Sequence, residues 1–200
     1  MLANQPPPPP ASDDDRVRTL RGALSRFRDA SPQAAAATRM LSLLETAGPR
    51  AFDRRFFAPG HFTASAFVLD VSTRRVLLIH HRKLGLWLQP GGHVDADDVD
   101  LEACARRELA EETHLLRATP VDAGTILDVD IHRIPARGDE PRHLHFDVRF
   151  AFVSTAAGDV RADSDAAAVR WFDEVELAAV GTDDSVRRSA ARLVNATMAR

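Results

Sequence analysis

Glu108, Glu111 and Glu112 are spaced i, i+3 and i+4. In a helix, that spacing puts three carboxylates on one face, where they repel one another unless something positive lies between them. A hard divalent cation is the natural counter-charge, because Mg²⁺ or Mn²⁺ prefers carboxylate, carbonyl and water oxygens. A cation held there would in turn hold phosphate oxygens and a water nucleophile. The chemistry these residues suggest is metal-assisted hydrolysis of a phosphate compound.

Other side chains invite roles, each with a plainer alternative. His143, His145 and Asp147 alternate along an apolar run and would share one strand face. They read either as a polar rim near a substrate or as solvent-side strand residues. Arg82 and Lys83 precede a glycine turn and suit phosphate, or form an exposed basic loop. Trp87 and Trp171 read as packing residues. Cys104 reads as a small buried residue, since no activating partner for a nucleophile is evident. His80, His81, His93 and His132 receive no role.

The elements that must position these groups follow from periodicity. Pro6 to Pro10 favour an extended polyproline segment in a disordered tail, residues 1–12. Ser12 or Asp13 caps a first helix with Val17, Leu20, Leu24 and Phe27 on one face. Ser31-Pro32 starts a second, with Met40, Leu41 and Leu44 inward and Gly48-Pro49 as its stop. The pair is expected as a helical hairpin within an extension spanning 13–58. Its apolar faces cover the main domain, a second subunit or each other.

From Phe62 the period becomes that of strands. Phe62 to Leu69 and Arg75 to His81 flank a Ser72-Thr73 turn. Pro90-Gly91-Gly92 is expected to end any strand and form a tight turn. A helix follows from Leu101 to Leu115, with Leu101, Ala105 and Leu109 as its buried stripe, largely apart from the glutamate row. Thr125 to Ile131, His143 to Phe152 and Val169 to Phe172 read as strands, and Pro135 to Pro141 as a polar loop. Glu174 to Val180 and Asp183 to Met198 read as closing helices. Strands near both ends of this region, with few helices between them, indicate a mixed α/β sandwich.

Bulk composition narrows the setting. The chain has 200 residues and a net charge of -3, which implies no general attraction to nucleic acid or anionic membrane. Lys83 is the sole lysine among 26 basic residues, so the cationic charge is almost all arginine. One cysteine allows no intrachain disulfide and fits a reducing, cytoplasmic setting. No secretory signal and no membrane span is expected.

The segment from Gly92 to Leu115 resembles the Nudix box, G-x5-E-x7-R-E-U-x-E-E-x-G-U with U aliphatic. Its second half matches as Arg107-Glu108-Leu109-Ala110-Glu111-Glu112-Thr113-His114-Leu115, and its first as Gly92 followed by Asp98. Trp87 to Gly92 looks like the family's approach to the box, and Trp171 to Leu177 its closing strand and helix. A lone Glu-x-x-Glu-Glu is usually solvated surface; the glycine turn and Arg107 at box spacing reverse that reading.

Three departures stand out. Asp98 replaces glutamate. One extra residue, expected in the loop near Val99, separates Asp98 from Arg107. His114 replaces the glycine expected as helix C-cap, where positive φ is strained for histidine.

The resemblance implies a Nudix-type α/β/α sandwich with a mixed sheet over residues 59–200, carrying the N-terminal helical hairpin. It implies a Mg²⁺-dependent (or Mn²⁺-dependent) hydrolase of a phosphoanhydride bond in a nucleoside diphosphate linked to another moiety. Glu108, Glu111, Glu112 and the Gly91 carbonyl would be metal ligands. Arg107 would orient the acids, and Glu112 or Glu111 would be the general base. Arg82, Lys83, Gly92, His143, His145 and Asp147 are the expected substrate contacts. The partner is a small phosphoanhydride, with no nucleic acid or membrane, and a homodimer is compatible. Rival readings are a coenzyme A or other non-nucleotide diphosphate, a catalytically silent ligand-binding regulator, and an interaction protein centred on the hairpin.

Overall fold

A computed structural model describes residues 15–155, 160–163 and 166–198. The proline run Pro6–Pro10 and the Ser12 or Asp13 cap lie outside these residues. The described chain forms α1 (Asp15–Ala30), α2 (Ala34–Ala47), a 3₁₀ turn (Gly48–Phe52), β1 (Gly60–Asp70), β2 (Arg75–His81), β3 (Trp87–Leu88) and β4 (Gly91–His93). There follow α3 (Leu101–Thr113), β5 (Thr119–Pro120), β6 (Ile126–Ile134), β7 (His143–Ser154), β8 (Ala166–Phe172), α4 (Glu174–Ala179) and α5 (Asp184–Met198).

The sheet is mixed. β1 runs parallel to β7 in unbroken register from Gly60↔Leu144 to Asp70↔Ser154, while its pairings with β2 and β4 are antiparallel. β6 adds antiparallel to β7, and β8 to β2. Because strand side chains alternate between faces, Phe62, Ala64, Ala66 and Val68 of β1 join Phe146, Val148, Phe150 and Phe152 of β7 on one apolar face. Onto it pack Leu101, Cys104, Ala105 and Leu109 of α3 and the inner stripes of α1 and α2. Phe67, Leu69, Val76 and Leu78 meet Leu177 of α4 and Val186, Ala190 and Leu193 of α5 on the other face. The result is the α/β/α sandwich. It also settles what the hairpin covers: Val17, Leu20, Leu24, Met40 and Leu44 sit in the same core as the sheet.

Two local expectations are corrected. The second helix begins at Ala34, not at Ser31-Pro32, because the Ser31 hydroxyl takes the Gln33 N–H (3.2 Å) and closes a turn. Gly91 and Gly92 do not end a strand. They form β4 with His93, pairing Thr63↔His93, Ala64↔Gly92 and Ser65↔Gly91. A Cβ on Gly91 would lie 2.7 Å from the Ala64 carbonyl oxygen, so this close pairing requires glycine. No helix among the described residues is long and apolar enough to cross a membrane.

Candidate active site

β4 is short, but it separates two polar clusters. On the α3 side of β4 stand the box carboxylates. Asp100 caps α3 by accepting from Ala103 N–H (2.8 Å). The extra residue falls outside the helix, as Val99 is exposed in the bend between Asp98 and Asp100. The glutamate face therefore stays in register with Arg107. At the other end His114 takes the left-handed conformation (φ 56°) and closes the helix with its N–H on the Ala110 carbonyl (2.9 Å). Its Nε2 lies 2.9 Å from Asp163, a contact that offsets part of the strain of positive φ.

Arg107 is the hub of this side. Its Nε and Nη2 donate to the two oxygens of Asp98 at 3.1 and 2.8 Å, a fork-to-fork pair. Nη1 reaches Glu108 at 2.9 Å and Glu111 at 3.3 Å, and Nη2 also donates to the His93 carbonyl at 2.9 Å. Asp95 lies 3.6 Å away. Asp98, read from sequence only as a shortened box glutamate, is thus the main anchor of Arg107. Burial alone would raise the Asp98 carboxyl, but hydrogen bonds from Arg107 and from the Asp95 N–H outweigh it and hold the group below its usual range.

The three glutamates differ in setting. Glu112 is only 5% exposed and belongs to the buried face of α3, against the expectation that the acids lie apart from that stripe. Its Oε2 accepts the Gly91 N–H at 3.0 Å. Glu108 stands over Gly92, where a Cβ would fall 2.5 Å from its carboxylate. Burial holds the Glu108 carboxyl above its ordinary range; Arg107 opposes the shift and the Glu111 and Asp95 charges add to it. The Glu111 side chain is 51% exposed.

On the other side of β4 lie His143, His145 and Asp147, expected as substrate contacts, but their gathering with His61, His93 and His132 was not read from sequence. His61 of β1 pairs in register with His145 of β7, which pairs in register with His132 of β6. His93 joins them from β4, with ring centroids 5.1 Å from both His61 and His145, and His143 stacks on His61 at 5.0 Å. Five of the eight histidines therefore meet in one place. Burial and neighbouring imidazoles pull His61 down to about 4 and His145 to about 2. The sequence carried only a weak signal, histidines at the start of β1 and on β4, β6 and β7, and their register was not readable.

Further along the same face, Asp147 is 2% exposed, which corrects the expectation of an open polar rim. It accepts from Thr63 (3.1 Å), Ser65 (2.8 Å), Gln89 (3.3 Å) and Arg149 (2.9 Å). Arg149 is itself buried and donates to the Ser185 carbonyl and the Ser189 hydroxyl of α5. Asp147 is thereby bound into the seam that seats α5. His143 is buried too, its Nδ1 2.8 Å from the Pro141 carbonyl. Arg82 and Lys83 lie exposed between β2 and β3. Trp87 packs edge-on to Phe172 at 4.8 Å, as a packing residue should. Cys104 is fully buried and burial pushes its thiol up, away from nucleophilic use.

The fold and this box-bearing helix define a Nudix-type hydrolase. The family model described as NUDIX domain matches residues 59–194, and the chain belongs to that family. No curated protein matches its sequence. Among solved structures it is similar to the E. coli dihydroneopterin triphosphate pyrophosphohydrolase, at 18% identity and a TM-score of 0.54, over 67% of this chain and 94% of that one. It is also similar to the NUDIX domain of Shewanella oneidensis NrtR complexed with ADP ribose, at 18% identity and a TM-score of 0.50, over 80% and 96% of the two chains. At such identities these likenesses speak to the fold alone.

Proposed function

We propose that this pyrophosphohydrolase cleaves, with Mg²⁺ or Mn²⁺, the phosphoanhydride of a nucleoside diphosphate linked to a second group. One observation carries the reading. A single guanidinium, Arg107, lies within 4 Å of four carboxylates, Asp95, Asp98, Glu108 and Glu111, and Glu112 adds a fifth against Gly91. One positive charge cannot balance five in a half-buried site, and a divalent cation is the missing partner.

The donor set fits such an ion. Glu112 turns one oxygen to the Gly91 N–H, Glu108 lies beside it over Gly92, and the Gly91 carbonyl is within the same turn of chain. A bound Mg²⁺ or Mn²⁺ would supply Lewis acidity and a water of lowered pKa. Arg107 fixes the acids by its fork on Asp98. Glu111, the most solvent-open of the three, takes the proton from the attacking water. The family match from residue 59 supports treating 59–200 as the catalytic unit and 13–58 as an extension packed on it. A buried lone thiol supports a cytoplasmic setting.

The test is a hydrolysis screen in ¹⁸O-labelled water, with Mg²⁺ or Mn²⁺, over ADP-ribose, nucleotide sugars, dinucleoside polyphosphates, nucleoside triphosphates and coenzyme A. Metal-dependent release of a nucleoside monophosphate, with label in one phosphate product, is expected. Turnover of coenzyme A alone would shift the substrate class. Absence of turnover across the panel would favour a ligand-binding role.

A further inference from the structure

We propose a second metal site, for a borderline transition ion such as Zn²⁺, held by His61, His93 and His145 on the opposite side of β4 from the box carboxylates. The ligand nitrogens of these three residues all lie within 4.8 Å of one another. The backbone places them by register: His61 and His145 are directly paired, and His93 sits opposite Thr63, two residues along β1. Gly92 turns the place of its missing Cβ to Glu108, so the next side chain, His93, leaves β4 on the other face.

His61 is the most informative member. It is 1% exposed, and its Nδ1 lies 3.3 Å from the Phe56 carbonyl. That contact makes Nδ1 the protonated nitrogen and leaves a bare lone pair on Nε2. Nε2 is buried and has no hydrogen-bond partner. A buried acceptor without a partner is destabilising, and a cation removes that cost. An imidazole whose far nitrogen donates to a backbone carbonyl is also how metal-ligating histidines are oriented. Burial keeps His61 and His145 in the neutral form that ligates.

The chemistry of the donors selects the ion. Three imidazoles and no carboxylate suit Zn²⁺ or its neighbours, not Mg²⁺. Zn–N bonds of about 2.0–2.1 Å put tetrahedral donors roughly 3.3 Å apart, so small rotations of already clustered rings complete the site. A fourth position would be left for water or a ligand atom. Arg54 and Glu140, 3.6 Å apart, tie the segment after the hairpin to the loop before β7, and both charges act on His93. The site therefore lies where the 135–141 loop and the extension meet.

The experiment uses the full chain, stripped with a chelator and titrated with Co²⁺, with visible absorption as the readout. The expected result is one equivalent bound with the intense bands of tetrahedral Co²⁺, unchanged in Glu112→Gln. In His61→Asn or His145→Asn, affinity should fall by at least ~10–100-fold. His93→Asn and His145→Asn, at half-buried positions, give the same reading if His61→Asn fails to fold. Co²⁺ spectra of octahedral type only, bands that survive the histidine substitutions, or bands abolished by Glu112→Gln would each overturn the proposal. Because it is read without substrate, the outcome is separable from the hydrolase assignment.

Discussion

The two sides of β4 solve opposite problems. Toward α3, Arg107 and five carboxylates crowd into a charge-dense, partly wet cluster drawn from residues 91–112. Toward α5, histidines and the buried Asp147–Arg149 pair form a row contributed by β1, β4, β6 and β7 that opens to solvent only at His132 and in part at His93 and His145. The first cluster is local in sequence because one helix and one turn build it. The second exists only because strands distant in the chain align in register. The contrast suggests that the chemistry resides in a portable local motif, while the face behind it is free to be specialised by the sheet.

The largest effect expected from breaking this contrast is in Glu112→Gln. The amide oxygen can still accept the Gly91 N–H, so the fold should persist, while turnover falls by about 10⁴-fold, roughly 5.5 kcal/mol of barrier. Steady-state rates alongside circular dichroism check both halves. Glu111→Gln should lower kcat with little change in metal affinity, whereas Glu112→Gln lowers both.

On the other side, Arg149→Leu should act on stability. It leaves the buried Asp147 charge without its cation and cuts three bonds to Ser185 and Ser189 of α5, which costs ~3–5 kcal/mol. Replacing Arg149 and Asp147 together by apolar residues should cost much less than the single change. Urea midpoints of the variants measure this.

Gly92→Ala probes the boundary between the sides. Its Cβ would meet only the end of the Glu108 side chain, so the fold survives while the carboxylate shifts. An ångström of misplacement predicts a loss of up to ~100-fold in kcat/KM. The smallest effect is expected of His114→Gly. Relief of positive φ is worth ~1–2 kcal/mol, and loss of the exposed Asp163 contact and greater unfolded-chain freedom take back most of it. A net gain below ~1 kcal/mol should appear in the same urea assay.

Legibility in the sequence followed the same division. Box glutamates, Arg107, the loop position of the extra residue near Val99 and the strained end at His114 were readable because each depends on contacts within one helix and its flanks. The strand β2, from Arg75 to His81, emerged with its observed ends, since its apolar run is bounded by turn residues. What escaped was non-local. β4 was missed because pairing with β1 overrides the turn preference of glycines. Asp147 looked like a surface residue because alternation gives the face of a side chain but not what covers it, here Arg149 and α5. Arg188 and Arg192 of α5 point inward to the fully buried Asp128 at 2.8 and 2.9 Å, although helical periodicity placed only Val186, Ala190, Leu193 and Val194 there. His61 drew no notice because its histidine partners lie on two other strands, β4 and β7.

The charge imbalance around Arg107 is the feature from which metal binding follows. Its most direct test is Mn²⁺ binding, followed by loss of the free-ion paramagnetic resonance signal, to the full chain and to Glu108→Gln/Glu112→Gln. Uptake is expected for the native protein and its loss in the double substitution, with the helix content of the two proteins equal. No uptake by the native protein, or uptake undiminished in the double variant, would contradict it.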